Sequence, residues 1–133
     1  MIYTSLIFII LAAICNAVMD TSVHHFHTSK FNTLNPYFWD GEISWKNKYI
    51  DGDPSKGRVK WYFGVNKPVQ ITDAFHFFKM LMITFICLSV ITFDKCAVLF
   101  GCEYSVLNFL VILGVYGTIW NTVFSLFYNK ILR

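Results

Sequence analysis

The chain has 133 residues, of which 56% are hydrophobic, 19% are aromatic and 14% are charged. A soluble domain carries about a quarter charged residues, so this composition excludes an ordinary soluble domain and indicates a protein embedded in a lipid bilayer. The formal net charge of +3 is modest. Because the basic residues lie between apolar runs, an anionic lipid surface is a simpler partner for them than a nucleic acid.

The first element is an apolar run over residues 2–19 that contains no charged residue. At about 1.5 Å per residue, a helix of this length crosses a hydrocarbon core, so the run predicts a first transmembrane helix. A cleaved signal peptide is the alternative, but the run lacks the positively charged start that such peptides carry. A lipoprotein signal is also disfavoured, because bulky Ile14 directly precedes Cys15.

Residues 20–70 form a polar segment that carries seven of the eleven Lys and Arg residues. Within it, residues 35–49 (NPYFWDGEISWKNKY) interleave aromatic and charged side chains, which is typical of a belt at the level of the lipid headgroups. The segment therefore predicts either an interfacial belt or a lipid-headgroup site. Residues 58–65 read as a short strand or as an interfacial stretch. The predicted headgroup contacts are Trp39, Trp45, Lys46, Lys48, Arg58 and Lys60.

Two further apolar runs predict two more transmembrane helices. The expected fold is all-α: an integral membrane protein with three transmembrane helices and a cytoplasmic aromatic and basic interfacial segment. The single membrane domain is predicted to divide into a first span over residues 2–19, the interfacial segment over 20–70, a second span over 71–93, a short outside connection over 94–105, a third span over 106–127 and a tail over 128–133.

Individual residues predict the ends and contacts of these helices. Thr72 is the expected N-cap of the second span. In the third span, Gly114 and Gly117 favour close helix contact, and the amides of Asn108 and Asn121 are expected to be buried against neighbouring helices. Whether Cys96 and Cys102 pair across the short connection is left open.

The distribution of basic residues predicts the orientation. The segment over residues 20–70 holds seven Lys and Arg residues, the tail holds two, and the 94–105 connection holds only Lys95. Three spans place the long segment and the tail on one side of the membrane. The positive-inside rule then puts both in the cytoplasm and the N-terminus outside.

Histidine and aspartate side chains predict a candidate site at the cytoplasmic ends of the first two helices. If the first helix continues to residue 27, its polar residues at i, i+4, i+8 and i+11 share one face; these are Asn16, Asp20, His24 and His27. A second pair, Asp73 and His76, begins the second helix at a spacing of i, i+3. Such groups bind zinc, iron or manganese, and helical bundles build metal sites from paired ligands on facing helices. The hypothetical metal ligands are Asp20, His24, His27, Asp73 and His76, with Asn16 and Asn121 as supporting polar residues.

Simpler roles for these residues stay open. Asp20 can act only as a helix stop at the interface, Asp73 can act only as a helix cap, and the histidines that follow Asp20 can be solvated at the membrane surface. A structural polar network, in which Asp20 would meet His76, is a third interpretation. The chain has four histidines, too few for the histidine sets of membrane desaturases, and it contains no GxSxG turn for serine chemistry.

The block NPYFWDGEISWKNKY, followed by DGDPSKG and KPVQITDAFHFFK, resembles a group of small bacterial multi-pass membrane proteins. In that group an FW…SWKNKY segment precedes a T-D-x-x-H helix start. The resemblance covers residues 15–80. It implies a location in the bacterial cytoplasmic (inner) membrane and singles out the aromatic block and the Asp73–His76 pair for testing, but it carries over no activity.

These observations favour a membrane protein without catalytic activity, either a structural or interaction subunit or a lipid-surface binder. Its expected partners are membrane lipids and a homo-oligomer or a larger membrane complex, and no nucleic acid. The alternative is a small enzyme that uses zinc, iron or manganese to activate water against a lipid ester or phosphoester. An ion path through Asp20, His76 and Asn121 is less favoured, because one subunit is too small to enclose a pore.

Overall fold

Three helices are long and apolar enough to cross a membrane, over Tyr3–His24, Ala74–Phe93 and Phe109–Ile131. This computed structural model describes residues 2–99 and 106–133, and the side chains of residues 3–93 and 109–133. The described part of the chain is predominantly helical and contains no β-strand, which confirms the predicted all-α fold with three candidate spans.

The described residues contain five α-helices and seven short 3-10 turns. The α-helices are α1 (Ile2–His24), α2 (Pro36–Trp39), α3 (Gly41–Ser44), α4 (Ala74–Leu99) and α5 (Val106–Leu126). The 3-10 turns span Phe26–Thr28, Lys30–Thr33, Trp45–Lys48, Ile50–Gly52, Pro54–Lys56, Tyr62–Gly64 and Val69–Ile71, and a π turn over Phe127–Ile131 follows α5. Residues 25–73, between α1 and α4, are called the linking segment below.

Helix α1 is the central helix of the bundle and packs against both α4 and α5. Its fully buried positions include Ala12, Ala13 and Ala17. Small side chains let helix backbones approach closely in a membrane, where the hydrophobic effect does not drive helices together. The rings of Phe8 and Phe85 stack at 6.2 Å. Since residues near the start of α1 meet residues late in α4, these two helices are antiparallel.

Hydroxyl groups join all three long helices. The Ser5 hydroxyl donates to the Ser89 carbonyl at 2.9 Å, and the Ser89 hydroxyl donates to the Ser5 carbonyl at 3.1 Å. The Tyr116 hydroxyl of α5 lies 2.8 Å from Ser5 Oγ. Ser5 and Ser89 are both buried. Polar groups in hydrocarbon need partners within the protein, so this cluster fixes the register of α1, α4 and α5.

Several helix limits and contacts differ from the sequence expectations. Helix α1 continues five residues past residue 19, and α4 begins at Ala74 and continues to Leu99, beyond the predicted end of the second span. An added Cβ at Gly114 or Gly117 would meet nothing within 4 Å, so neither glycine makes a close helix contact with the described residues. Asn121 is exposed rather than buried. Cys96, Cys102 and Asn108 lie outside the described side chains.

An aromatic core holds the linking segment against the helix ends. Phe26 and Phe31 are buried together with Val18 of α1. The Trp39 ring packs on this core, with its centroid 4.8 Å from that of Phe31 and 5.7 Å from that of Phe78. The C-terminal tail lies at the same end of the bundle, because the Lys30 N–H donates to the Leu132 carbonyl at 2.8 Å and Leu132 packs against the core.

Residues 58–65 do not form the short strand that was one of the two predictions for them, and the other prediction, an interfacial stretch, stays a prediction. Two isolated antiparallel bridges, Tyr49 with Arg58 and Lys60 with Asn66, fold the chain back twice. The second turn, closed by a 2.7 Å hydrogen bond from the Trp61 N–H to the Val65 carbonyl, is called the aromatic tip (residues 61–65). The aromatic side chains of the tip are exposed on the surface of the protein.

Candidate functional site

Asp73 and His76 form a local pair at the start of α4. The His76 backbone N–H donates to Asp73 Oδ1 at 2.9 Å, so Asp73, and not Thr72, is the N-cap of this helix. His76 Nδ1 lies 2.8 Å from each carboxylate oxygen. The Thr72 hydroxyl donates to Asp73 Oδ2 at 2.8 Å. Asp73 is almost fully buried, and these contacts satisfy its carboxylate as a structural cap.

The five predicted metal ligands do not converge on one point. Asp73 pairs with His76, while Asp20 and His24 lie on α1. No hydrogen bond or ion pair between Asp20 and His76 is present in the described part of the chain. Helix α1 ends at His24, so His27 leaves the predicted helix face and lies in the 3-10 turn Phe26–Thr28. The supporting residue Asn16 stays on α1, half-buried.

His27 instead meets two carboxylates that follow it in the sequence. Its Nε2 lies 3.4 Å from Asp40 Oδ2. The ligand atoms of His27, Asp40 and Glu42 all lie within 4.8 Å of one another. They line an open pocket of about 210 Å³. The complete lining is Val23, His24, His25, Phe26, His27, Thr28, Asp40 and Glu42. Within the described residues, this is the one group of three His, Cys, Asp or Glu side chains close enough to share a metal ion.

The aromatic core positions both sides of this cluster. His27 directly follows the buried Phe26, and its ring packs edge-on against the Phe26 ring at 5.2 Å. Asp40 directly follows Trp39, which packs on the same core. Asp40 is also the N-cap of α3, because its Oδ1 accepts a 2.9 Å hydrogen bond from the Glu42 N–H. The carboxylate orientation is therefore fixed by the backbone of α3.

A glycine lets α3 approach α1 closely enough to complete the pocket. A Cβ at Gly41 would lie 2.8 Å from Val23 Cα and 3.2 Å from the Ser22 carbonyl oxygen. Real side chains do not approach backbone atoms at this distance. Gly41 thus permits the contact that places Asp40 beside the end of α1.

His25, which lines the same pocket, contacts the C-terminus of the chain. Arg133 donates to His25 Nε2 at 2.6 Å. Reduced solvation of the ring, and then the positive charges of Arg133 and His24, lower the pKa of the His25 imidazole. A neutral imidazole has one nitrogen that can accept a hydrogen bond, so the lowered pKa favours the form that accepts from Arg133.

The residues predicted to contact lipid headgroups fall into two groups. Trp39 is half-buried and packs on the aromatic core. Trp45 is exposed, with the Lys46 and Lys48 ammonium groups 5.7 Å and 5.9 Å from its ring centroid. Arg58 and Lys60 are exposed on the stem of the aromatic tip. The segment thus presents mixed aromatic and basic groups to its surroundings.

Sequence reasoning missed two features of this region. Asp40 and Glu42 flank Gly41 in the aromatic block. Their i, i+2 spacing around a glycine is the only sequence signal that pointed to them. The aromatic run Trp61-Tyr62-Phe63 gave a clearer signal. Gly64 indicates a turn directly after this run, and the structure shows that the rings are exposed.

Comparisons with known proteins do not identify the chain. No protein-family model, curated protein or solved structure matches it. The resemblance to small bacterial membrane proteins therefore stays a prediction.

Proposed function

We propose that this protein binds anionic lipid headgroups at the surface of its own membrane and has no catalytic activity of its own. In this proposal, the three long helices anchor the chain, and the aromatic tip inserts among the headgroups beside them. The observation that carries the proposal is Phe63, whose side chain is 104% exposed at the end of the tip.

The tip is a tight turn with Phe63 and Gly64 at its two central positions, both with positive φ, and the Val65 N–H donates to the Tyr62 carbonyl at 3.2 Å. Phe63 has a φ of +56°, a left-handed conformation that is unfavourable for a bulky residue. Such backbone conformations cost about 1–3 kcal/mol and are concentrated at functional sites. Trp61, Tyr62 and Val65 are exposed as well. Burial of one Phe side chain away from water contributes about 1.5–3 kcal/mol, enough to offset the strain.

Positive charge surrounds the tip. Arg58 and Lys60 are exposed on its stem, and Lys67 follows it. Each Lys or Arg close to an anionic lipid surface contributes about 1 kcal/mol of binding. Aromatic rings prefer the headgroup level, where their apolar surface is buried and their polar edges stay wet. Charge and ring type therefore favour the same partner, an anionic lipid surface.

The proposed orientation follows from the same charges. The linking segment and the C-terminal tail meet at one end of the bundle, and together they hold nine of the eleven Lys and Arg residues. The positive-inside rule assigns this end to the cytoplasm. We propose the cytoplasmic leaflet of a bacterial inner membrane as the surface that the tip contacts, with the N-terminus outside.

The experiment measures the depth of the tip in a membrane. The full chain, with its native cysteines replaced by alanine or serine, receives a single cysteine at position 63 and an environment-sensitive fluorophore. It is placed in nanodiscs of phosphatidylcholine with phosphatidylglycerol, some of which carry brominated acyl chains. We expect bromine to quench the fluorophore at position 63, because the label replaces a ring that lies in the interface.

Position 55 is the matched control. Ser55 is exposed in the first chain reversal, between Tyr49 and Arg58, and it has no aromatic neighbours in sequence. A label there should stay in water and escape quenching. Replacing Arg58, Lys60 and Lys67 by glutamine should move the label at position 63 toward water. Equal, water-like fluorescence at positions 63 and 55 would contradict the proposal.

Two other hypotheses remain predictions. Self-association, or assembly into a larger membrane complex, is compatible with the exposed Gly114, Gly117 and Asn121 of α5. A metal-dependent lipid enzyme would require the ligands predicted from the sequence to act together, and Asp73 and His76 are instead engaged with each other.

A further inference from the structure

We propose that His27, Asp40 and Glu42 bind a divalent first-row metal ion, for which zinc is the natural probe. This site is separate from the aromatic tip and from the Asp73–His76 pair. It uses one histidine of the set predicted from the sequence, together with two carboxylates that were outside that set.

The separation of the ligand atoms suits a shared ion better than a direct bond. The 3.4 Å between His27 Nε2 and Asp40 Oδ2 exceeds the usual N–H···O distance of about 2.9–3.0 Å. Two ligands at about 2.0–2.1 Å from a tetrahedral zinc ion lie about 3.3–3.4 Å apart. Glu42 completes a group whose ligand atoms all approach within 4.8 Å, and its exposed side chain can move closer.

The burial of Asp40 gives a second, independent reason. Its side chain is only 2% exposed, and a buried carboxylate needs a compensating charge or hydrogen bonds. Oδ1 is used by the Glu42 N–H. Oδ2 faces His27 Nε2 at 3.4 Å across the pocket. A cation in the pocket would give this buried carboxylate a second compensating charge.

The ligand types define the class of metal. One imidazole and two carboxylates suit zinc, manganese or ferrous iron, and for a given nitrogen and oxygen site zinc generally binds more tightly than the other two. Three protein ligands leave one position of a tetrahedral ion open to water or to another group. The mouth of the pocket faces outward, and 72% of the His27 side chain is exposed, so the ion has an entry path.

The test is zinc binding to the untagged full chain in detergent, measured by calorimetry and by elemental analysis after gel filtration. We expect one zinc ion per chain. His27→Ala and Glu42→Gln should each weaken zinc binding by at least about tenfold, because loss of outer-shell partners alone costs about 10–100-fold. Glu42 is exposed and contacts Asp40 through its backbone N–H, so Glu42→Gln should keep the thermal stability of the wild type without metal.

Control variants locate the ion. His24→Ala removes an exposed histidine that lines the same pocket but lies outside the trio, and His76→Ala removes the histidine at the start of α4. Neither should change zinc affinity. Cobalt should give the visible absorption of a site with nitrogen and oxygen ligands, without the charge-transfer band of a thiolate. That second result separates the trio from the cysteines.

Each other outcome overturns the proposal. If the wild type binds no zinc, the contact with His27 and the hydrogen bond from the Glu42 N–H are enough for the buried Asp40 carboxylate, and there is no metal site. If binding is lost in His76→Ala and kept in His27→Ala, the ion belongs to the start of α4. Because the measurement is made in detergent without anionic lipid, its result is independent of whether the aromatic tip enters a membrane.

Discussion

Asp73 and His76 cap α4 together: the backbone N–H of His76 donates to Asp73 Oδ1, while the ring Nδ1 of His76 lies 2.8 Å from both carboxylate oxygens. The pair lies where the linking segment enters the second candidate span. The amide of Asn47 donates to the Thr72 carbonyl at 3.1 Å and also to the Tyr37 carbonyl. The cap is thereby connected to the short helices of the linking segment.

Asp73→Ala should destabilise the protein, because it removes both the cap and the partner of His76. Loss of an N-cap side chain costs about 0.5–2 kcal/mol. His76→Ala should cost about 1–3 kcal/mol, since it leaves a buried carboxylate with one partner fewer. Asp73→Asn keeps an oxygen for the His76 N–H and should cost less than Asp73→Ala. Thermal unfolding in detergent ranks the three variants. Melting temperatures equal to that of the wild type in all three would refute a structural role for the pair.

Gly41→Ala should destabilise the linking segment by about 1–3 kcal/mol, the usual cost of overpacking. The new methyl group would lie 2.8 Å from Val23 Cα, a backbone atom that cannot turn away. Gly114→Ala is the matched control, because a Cβ there meets nothing within 4 Å. Thermal unfolding of both variants tests the contact. A Gly41→Ala melting temperature equal to that of Gly114→Ala would show that α3 does not depend on this close approach.

Ser5→Ala should weaken the packing of the three long helices. It removes a hydroxyl that contacts both Ser89 and Tyr116. Hydrogen bonds between membrane helices contribute about 0.6 kcal/mol on average and up to about 1.7 kcal/mol, and this one residue makes several. Thr118→Ala is the control, because the Thr118 hydroxyl donates to the Gly114 carbonyl of its own helix. Unfolding in mixed detergent should separate the two variants, and an unchanged Ser5→Ala protein would show that the cluster adds no stability.

The turn that Asp53 caps, in the first chain reversal, should become less stable in acid. The Ser55 hydroxyl, and then the Ser55 N–H, donate to Asp53 and lower its pKa below the ordinary value of 3.8. Because the carboxylate binds a proton less readily in the folded turn, its stabilising effect is present above about pH 4 and is lost as the pH falls through the lowered pKa. The Ser55 amide signal in an NMR pH titration should report this change. Asp53→Asn should abolish it, and a titration that is identical in both proteins would contradict the assignment.

The sequence determined the features that depend on composition and on short spacings. Three apolar runs of sufficient length predicted three candidate membrane spans, because the apolar length needed to cross a bilayer is a property of each run by itself. The i, i+3 spacing of Asp73 and His76 at a helix start was also readable, since such residues are neighbours on a helix, although His76 was expected to meet Asp20 and contacts Asp73 instead. These predictions needed no knowledge of how the helices pack.

Only the tertiary structure decided which distant residues meet. His27 lies beside Asp40, thirteen positions later in the sequence, because α1 ends at His24 and Gly41 lets α3 pack against Val23. Trp39 turns inward because Phe31 and Phe78 provide an apolar surface for it. Such contacts depend on where a helix stops and how closely two backbones approach. Both are set by the packing of the whole chain and not by the spacing of residues along it.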